Sequence, residues 1–317
     1  MNLADVYARR QMGRSIMGMA AVLLPFAANG EIDEDAYVAC LRDTVRAGLT
    51  PAVNMDTGYV NLLTDSEKVR VLKLARHALG DTPYVAGAYI EGQDGDVADL
   101  YRREIGRIAE HGGVPILFQT SRLHNAPAAE VAAAYSEAVS DVPTAYAFEL
   151  GKMFAPNGEI WSSEVFEGIL GIEQIGGAKH SSLDRVIEIE RLAVRDRVRP
   201  DFKVFTGNDL GIDMIEYGSD YLLGLAAFSP EKFAERDRLW EAGDPAYFAV
   251  ADALQLLGNV AFRPPVPAYK HSAAMFLKLR GWIENDDTHP LSKSRPDADR
   301  AVLRDIAERL NELIENH

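Results

Sequence analysis

One short stretch of the chain, Gln174–Ser182, carries a side chain that can do covalent chemistry. It places Lys179 at the end of an apolar segment that is typical of a buried strand. Burial of an unpaired lysine disfavours its charged form and lowers its pKa. The neutral amine is then a nucleophile that can form a Schiff base with a carbonyl compound. The alternative is an ordinary lysine that extends into solvent, and the stretch alone favours it because most lysines are exposed.

The surrounding elements decide between these two interpretations. Strand-like and helix-like segments alternate from Ala20 to about Ala242. The predicted strands are Ala20–Phe26, Pro51–Met55, Tyr84–Ile90, Val114–Gln119, Thr144–Leu150, Gln174–Lys179, Phe202–Thr206 and Tyr221–Phe228. Several are continuous apolar runs, as expected of parallel strands that are covered on both faces. Eight such units predict an α/β protein with a (β/α)8 TIM barrel; an open, doubly wound sheet is the alternative, which the count of eight disfavours.

The sequence predicts a helical extension after the barrel. We assign residues 1–243 to the barrel, with a short polar helix or arm at 1–15, and residues 244–317 to the extension. The extension has three helical patterns, at Pro245–Leu257, Ala268–Glu284 and Asp297–Glu315. The apolar run Ile16–Ala28 follows three arginines and could be part of a signal peptide. We interpret it as the first barrel strand, because a helix-capping pattern follows it at once.

Composition excludes several classes of function. The chain has 317 residues and a formal net charge of −15, which argues against binding to nucleic acids or to anionic membranes. An acidic substrate remains possible, since a few cations in a pocket can bind one. The single cysteine, Cys40, rules out an intramolecular disulfide and indicates a reducing compartment, so we expect a cytoplasmic protein.

A barrel fold tells where the chemistry must lie. Active sites of (β/α)8 barrels are built at the C-terminal ends of the strands, here called the mouth, and on the loops that follow them. Lys179 ends the sixth predicted strand, so its side chain is expected to point into the mouth. This position reverses the first interpretation and favours a Schiff-base lysine.

Local motifs along nearly the whole chain resemble the dihydrodipicolinate synthase/N-acetylneuraminate lyase superfamily. No single motif is specific, but their order and spacing agree. The matching segments are Ala21–Phe26 with Asn29–Asp33, Thr57-Gly58 with Leu63–Glu67, Gly177–Lys179, Thr206–Asp209, Tyr217–Gly224 and Val266–Lys270. The resemblance implies that Lys179 attacks the ketone of pyruvate or another 2-oxo acid. It also implies that the turn at Thr57 and Gly58 holds the substrate carboxylate, that neither metal nor cofactor is needed, and that the protein is a homo-oligomer, a tetramer made of dimers.

The chain departs from the family where protons are handled. The family has Gly-Thr-Thr-Gly after its second strand, and here Asp56 stands at the first threonine. Our alignment puts Ala147 at the family's strand-five tyrosine and Lys152 at its arginine. Tyr146 is one residue away, and a slip of one residue faces the opposite side of a strand. Asp56 or Glu149 could be the replacement acid/base, or both could be structural carboxylates paired with cations.

Further candidates lie on the other loops of the mouth. Arg122 and His124 stand where the family has a tyrosine pair, and either could bind a carboxylate or hydroxyl, as Lys152 could. Asn208 belongs to a glycine-rich turn that could bind substrate or cap a helix. His180 is expected to face the helices, because neighbouring residues of a strand point to opposite sides.

These residues favour a class I lyase or aldolase that acts on a 2-oxo acid through Lys179. A Schiff-base hydro-lyase of a sugar acid uses the same intermediate and is the nearest alternative. A barrel that only binds a keto acid is another, which the absent family tyrosine supports. A metal-dependent aldolase is less favoured, because the histidines are scattered without metal-ligand spacing.

Overall fold

The computed structural model of the protein describes residues 2–315. Eight parallel strands close into a barrel in sequence order, with β8 hydrogen-bonded to β1. The strands are β1 (Gly18–Ala21), β2 (Thr50–Val53), β3 (Val85–Ala88), β4 (Val114–Phe118), β5 (Ala145–Leu150), β6 (Ile175–Ser181), β7 (Lys203–Thr206) and β8 (Asp220–Leu223). The predicted TIM barrel is confirmed, and the closed ladder excludes the open sheet. The stretch that could have been a signal peptide contributes β1.

Helices surround the barrel and follow it. They are α1 (Leu3–Ala8), α2 (Glu34–Ala47), α3 (Asp65–Leu79), α4 (Val97–Glu110), α5 (Ala128–Ala138), α6 (Ser163–Leu170), α7 (Arg185–Val198), α8 (Pro230–Ala242), α9 (Tyr247–Ala261), α10 (Tyr269–Leu279) and α11 (Asp299–Glu315). Within residues 2–315, no helix is long and apolar enough to span a membrane.

Local sequence signals fix several helix ends. Thr64 and Glu67 form a capping box at the start of α3, in which each side chain bonds the backbone of the other residue. Asp33 caps α2 through a hydrogen bond from Ala36 N, and Gly48 ends α2 in the left-handed region at φ +96°. The connection between β7 and β8 contains a 3-10 helix, Ile212–Tyr217.

The core has two layers. Inside the barrel, side chains such as Met19, Ile116, Phe148 and Phe205 fill the space between the strands. A larger layer lies between the strands and the surrounding helices. Because both faces of each strand are covered, the strands are apolar at nearly every position, as parallel strands usually are.

The C-terminal extension packs on the barrel and reaches its mouth. Helix α9 packs against α8 and α11, and α10 packs against α11. The start of α10 lies over the turn that follows β2, where Tyr269 and Lys270 contact Asp56. The extension therefore supplies side chains to the part of the barrel where function is expected.

Candidate functional site

Lys179 points into the barrel near its mouth. In the ladders it lies beside Phe148 of β5 and Phe205 of β7. Its Nζ is 4.3 Å from the centre of the Phe148 ring, and the residue is only 7% exposed. The side chain passes close to Gly207, where an added Cβ would lie 2.6 Å from Lys179 Cε. Strand alternation directs the side chain into the barrel, and the glycine leaves the space that it occupies.

Burial gives this amine an unusual acidity. It lowers the pKa of Lys179 from 10.5 to about 8, although the carboxylates of Asp209 and Asp56 act in the opposite direction. Burial likewise raises the pKa of Asp209 from 3.8 to about 7, against the hydrogen bond from Leu225 N and the charge of Lys179. A lysine and a nearby carboxyl group with pKa values this close can exchange protons near neutral pH.

Asp56 and Thr57 lie on the short 3-10 turn that follows β2, Asp56–Gly58. Asp56 forms an ion pair with Lys270, whose Nζ lies 3.0 Å from Oδ2. Tyr269 donates its hydroxyl hydrogen bond to the same carboxylate at 2.8 Å, and Thr57 Oγ1 lies 2.9 Å from the Tyr269 oxygen. This chain of polar groups forms one wall of the site.

A small cavity connects these groups. It is lined by Asp56, Thr57, Phe148, Leu150, Phe154, Lys179, Ser181, Gly207, Asp209, Gly224 and Tyr269. Its volume is about 20 Å³, enough for about one water molecule. Phe154, on the loop after β5, also lines a neighbouring cavity of about 70 Å³ that contains Tyr89 and Gln119. Asp56 and Leu150 also line both cavities, so these two residues and Phe154 lie between the lysine and the wider mouth.

Glu149 lies on the other side of its strand. It pairs with His180 in the ladder, whereas Lys179 pairs with Phe148. Its carboxylate contacts His180 Nδ1 at 2.7 Å and Arg191 Nε at 3.0 Å, between the barrel and α7. Burial raises the pKa of Glu149, but His180 and Arg191 outweigh burial and hold this pKa below its ordinary value. The prediction that Glu149 lies beside Lys179 is wrong, whereas the outward orientation of His180 is confirmed.

The same alternation corrects the alignment of β5. Ala147 belongs to the layer between strands and helices, so it does not face the lysine. Phe148 occupies the inward position at the level of Lys179. Tyr146 also faces inward, but it pairs with Gly177, two residues before the lysine and deeper in the barrel. Strand β5 thus presents an aromatic ring without a hydroxyl to the amine.

The other candidates lie outside this cavity. Arg122 donates to the carbonyl oxygens of Gln93 and Gly95. His124 Nε2 lies 3.5 Å from Glu159, and Lys152 is exposed. The structure therefore does not bring these three side chains to Lys179.

Asn208 and Gly58, two further candidates for substrate binding, already have hydrogen-bond partners within the protein. Asn208 donates to Glu188 at 2.6 Å and accepts from the N–H groups of Ser182 and Leu183. It holds two loops together and does not line the cavity. Gly58 N–H donates to Met55 O at 3.0 Å, so this N–H is not free for a substrate carboxylate. The hydroxyl of Thr57 does line the cavity.

Ser182, His180 and Glu149 form a hydroxyl–imidazole–carboxylate chain. Ser182 Oγ lies 2.6 Å from His180 Nε2. The order is that of a nucleophilic triad. However, the nearby N–H groups that could hold an oxyanion, those of Ser182 and Leu183, both bond Asn208. Ser182 Oγ also accepts from Asp184 N at 2.9 Å, so the chain secures the loop after β6.

A larger cavity of about 180 Å³ lies between the loops that follow β4 and β5. His124, Tyr135 and Trp161 line it, and it shares only Gln119 with the cavity beside Tyr89. It is larger than the cavity beside Lys179, but Lys179 is not part of it. Among the side chains of the described residues, no group of three or more His, Cys, Asp or Glu could hold a metal ion.

Three important residues were not selected from the sequence. Asp209 belongs to the motif Thr206–Asp209, and Tyr269 and Lys270 belong to the motif Val266–Lys270 in the extension, but no function was predicted for these three residues. A (β/α)8 barrel is expected to carry its function on the loops after its strands, and the extension lies outside those loops. A tyrosine and a lysine at the start of a tail helix carry no signal of their own, because their partner Asp56 is more than two hundred residues away.

Solved structures with this fold share it along nearly their whole length. YagE, a prophage protein of the dihydrodipicolinic acid synthase family from E. coli K12 in complex with pyruvate, has a TM-score of 0.80 at 14% identity, covering 93% of this chain and 98% of that chain. Dihydrodipicolinate synthase from Thermotoga maritima has a TM-score of 0.78 at 17% identity, covering 95% and 99%. The enzyme from Acinetobacter baumannii, complexed with pyruvate, has a TM-score of 0.77 at 16% identity, covering 94% and 99%.

The comparisons agree on the fold. No protein-family model and no curated protein matches the sequence. The structural likeness confirms, for the fold, the resemblance that the sequence motifs indicated.

Proposed function

We propose that this protein, which has the fold of the dihydrodipicolinate synthases, is a class I lyase or aldolase that forms a Schiff base between Lys179 and a 2-oxo acid. The observation that carries the proposal is a buried amine with its pKa lowered to about 8, enclosed at the barrel mouth among Asp56, Thr57 and Asp209. A buried lysine with this acidity is a nucleophile at neutral pH.

The chemistry follows from these groups. The neutral amine attacks the ketone carbon, and loss of water leaves an iminium. The iminium withdraws electrons from the neighbouring carbon–carbon or carbon–hydrogen bond, so that bond can break or form there. The buried carboxylate of Asp209 and the half-buried carboxylate of Asp56 stabilise the positive nitrogen, because charges interact strongly where water is largely excluded. The substrate carboxylate would lie in the same cavity, where Ser181 is a further lining residue with a hydroxyl group.

The size of the cavity favours a small 2-oxo acid such as pyruvate over a sugar acid. The space beside the amine holds about one water, and Asp56, Leu150 and Phe154 lie between it and the 70 Å³ cavity. Pyruvate needs a small displacement of these side chains, whereas a sugar acid needs both cavities joined. The second reactant of an aldol reaction would occupy the outer cavity, beside Tyr89 and Gln119.

Exchange of the methyl protons of pyruvate tests this function. An enzyme that forms the iminium and then removes a proton beside it replaces these protons with deuterium from heavy water, and a dependence on Lys179 assigns the exchange to the Schiff base. We expect the wild type to catalyse this exchange, followed by proton NMR, and Lys179→Met to lose it. If pyruvate and other 2-oxo acids form an adduct but exchange no protons, the protein binds keto acids without turning them over.

The hydro-lyase alternative predicts a different product. With 2-oxo sugar acids, it would release water and leave the carbon chain intact, whereas a lyase would release pyruvate and an aldehyde. Mass spectrometry of the products distinguishes the two reactions.

A further inference from the structure

The C-terminal extension places a phenol in the wall of the barrel site. Tyr269, the first residue of α10, is 2% exposed and stacks on Phe262 with ring centres 4.2 Å apart. Its hydroxyl bonds Thr57 and Asp56, and its side chain lines the same cavity as Lys179. The phenol therefore lies in the mouth, although it comes from outside the barrel.

The hydrogen bonds around this phenol have a defined direction. Asp56 is ion-paired with Lys270, so its carboxylate accepts the proton of the Tyr269 hydroxyl. The phenol oxygen then accepts from the Thr57 hydroxyl at 2.9 Å. Thr57, Tyr269 and Asp56 thus form a continuous path for protons from the cavity to a carboxylate. Lys270 lies behind that carboxylate and stabilises its charge.

Strand β5 offers no competing hydroxyl at this level. Phe148 occupies the inward position beside Lys179, and Tyr146 lies deeper in the barrel. Tyr269 is the phenol that lines the cavity. Burial and the negative charge of Asp56 raise its pKa well above the ordinary value. The phenol is therefore neutral at rest and suited to passing a proton on rather than storing one.

We propose that Tyr269, with Asp56 behind it, is the proton-transfer residue of the Schiff-base reaction; this inference rests on the proposed function. When the Lys179 ammonium reacts with a ketone, two protons leave nitrogen and two arrive on the ketone oxygen, which departs as water. Each proton that leaves nitrogen passes first to the Asp56 carboxylate. Tyr269 then gives its phenolic proton to the substrate oxygen and takes the proton held by Asp56 in its place.

The same path then works in reverse. When the iminium loses a proton from the neighbouring carbon, the C–H electron pair forms the carbon–carbon double bond and the C=N pair moves to nitrogen. Tyr269 takes this proton while its own proton moves to Asp56. The C-terminal extension is therefore a catalytic part of the barrel site.

Tyr269→Phe tests the inference, because it removes one oxygen and keeps the ring that stacks on Phe262. We expect the variant still to form the pyruvate adduct on long incubation with borohydride trapping. Its exchange of pyruvate methyl protons should fall about 10²-fold or more, the usual contribution of an acid–base group. The variant should thus keep the final yield of adduct and lose most of its exchange rate. A loss of packing alone would not affect one and spare the other.

The matched control is Tyr247→Phe on α9. Tyr247 is also fully buried, and its hydroxyl also bonds a carboxylate, that of Glu216 at 3.2 Å. It lies outside the cavity, so we expect wild-type exchange. A Tyr269→Phe protein that exchanges at the wild-type rate would overturn the inference and leave the proposed function intact. A wild type without adduct or exchange would overturn both.

A second variant keeps the test valid if Tyr269→Phe unfolds. Asp56→Asn retains Tyr269 and its stacking but removes the carboxylate that ends the path. We expect a similar loss of exchange, and a double variant no slower than either single variant, because the two groups act in series. Asp56→Asn with wild-type exchange would contradict the proposed path.

Discussion

The lysine at the centre of the site is unusual because of its surroundings. Lys179 lies against the face of Phe148 and is enclosed near two carboxylates, and burial lowers its pKa from 10.5 to about 8. This shift corresponds to a free-energy cost of about 3 kcal/mol for holding the charged form in the folded state. The same burial increases the fraction of neutral, nucleophilic amine near neutral pH.

Lys179→Met should therefore make the protein more stable at neutral pH, by about 2–3 kcal/mol. A folded-state pKa below the unfolded value means that the unfolded chain binds more protons between pH 8 and 10.5. The wild type should gain stability as pH rises through this range, so the difference in free energy of unfolding between variant and wild type should shrink. Urea unfolding of both proteins at pH 7 and pH 10 measures this difference. A variant less stable than the wild type at pH 7 would contradict the cost assigned to the charge.

The strand elements decide which side chains reach the site. Alternation along β5 and β6 puts Phe148 and Lys179 inside, and it puts Glu149 and His180 outside. The barrel and Lys179 could be predicted from the sequence because strand count and strand ends suffice for them. The orientation of β5 could not be, because both of its faces are covered and both carry apolar residues, so the period of two is hidden.

Glu149→Gln should destabilise the fold by about 3–5 kcal/mol, because it leaves the buried Arg191 without its full partner. The matched control is Glu137→Gln, which breaks an exposed pair with Arg102 and should cost at most about 1 kcal/mol. Because the folded-state pKa of Glu149 is lowered, its contribution is present above pH 4.5 and is lost as pH falls through the folded-state value. Denaturant titrations at pH 7 and below pH 4 measure both effects.

The chemistry should survive this change if Glu149 is structural. We expect Glu149→Gln to form the pyruvate adduct under conditions in which it stays folded. A stable Glu149→Gln protein without adduct would instead make Glu149 part of the reaction.

Gly207, in the turn after β7, leaves the space that the Lys179 side chain occupies. An alanine Cβ there would lie 2.6 Å from Lys179 Cε and would also collide with Ser181. Gly207→Ala should cost about 1–3 kcal/mol through overpacking and should slow formation of the pyruvate adduct. Gly106→Ala, where a Cβ meets no atom within 4 Å, is the control and should stabilise α4 by about 0.5–1 kcal/mol. Equal adduct rates in both variants would contradict this positioning.

At the scale of the whole molecule, the site needs the extension as well as the barrel. Asp56 follows β2 and Lys179 lies near the end of β6, whereas Tyr269 and Lys270 are the first residues of α10. The three-helix tail was predictable from its periodicity. Its contribution to the site was not, because a contact between such distant residues depends on how the finished domains pack.

We expect a homo-oligomer, a tetramer made of dimers, as the family resemblance implies. Light scattering after gel filtration at micromolar concentration measures the mass. A monomeric mass at this concentration would contradict this expectation and would not affect the proposal for Lys179.

The most direct test of the central claim is reductive trapping on Lys179. The protein is incubated with pyruvate and borohydride, and its intact mass and modified peptide are determined. We predict one reduced pyruvate per chain on Lys179 in the wild type, none in Lys179→Ala, and a wild-type result for Lys203→Ala, whose lysine pairs with Asp220 on β8. No adduct with pyruvate or any 2-oxo sugar acid, or an adduct that survives Lys179→Ala, would contradict the account.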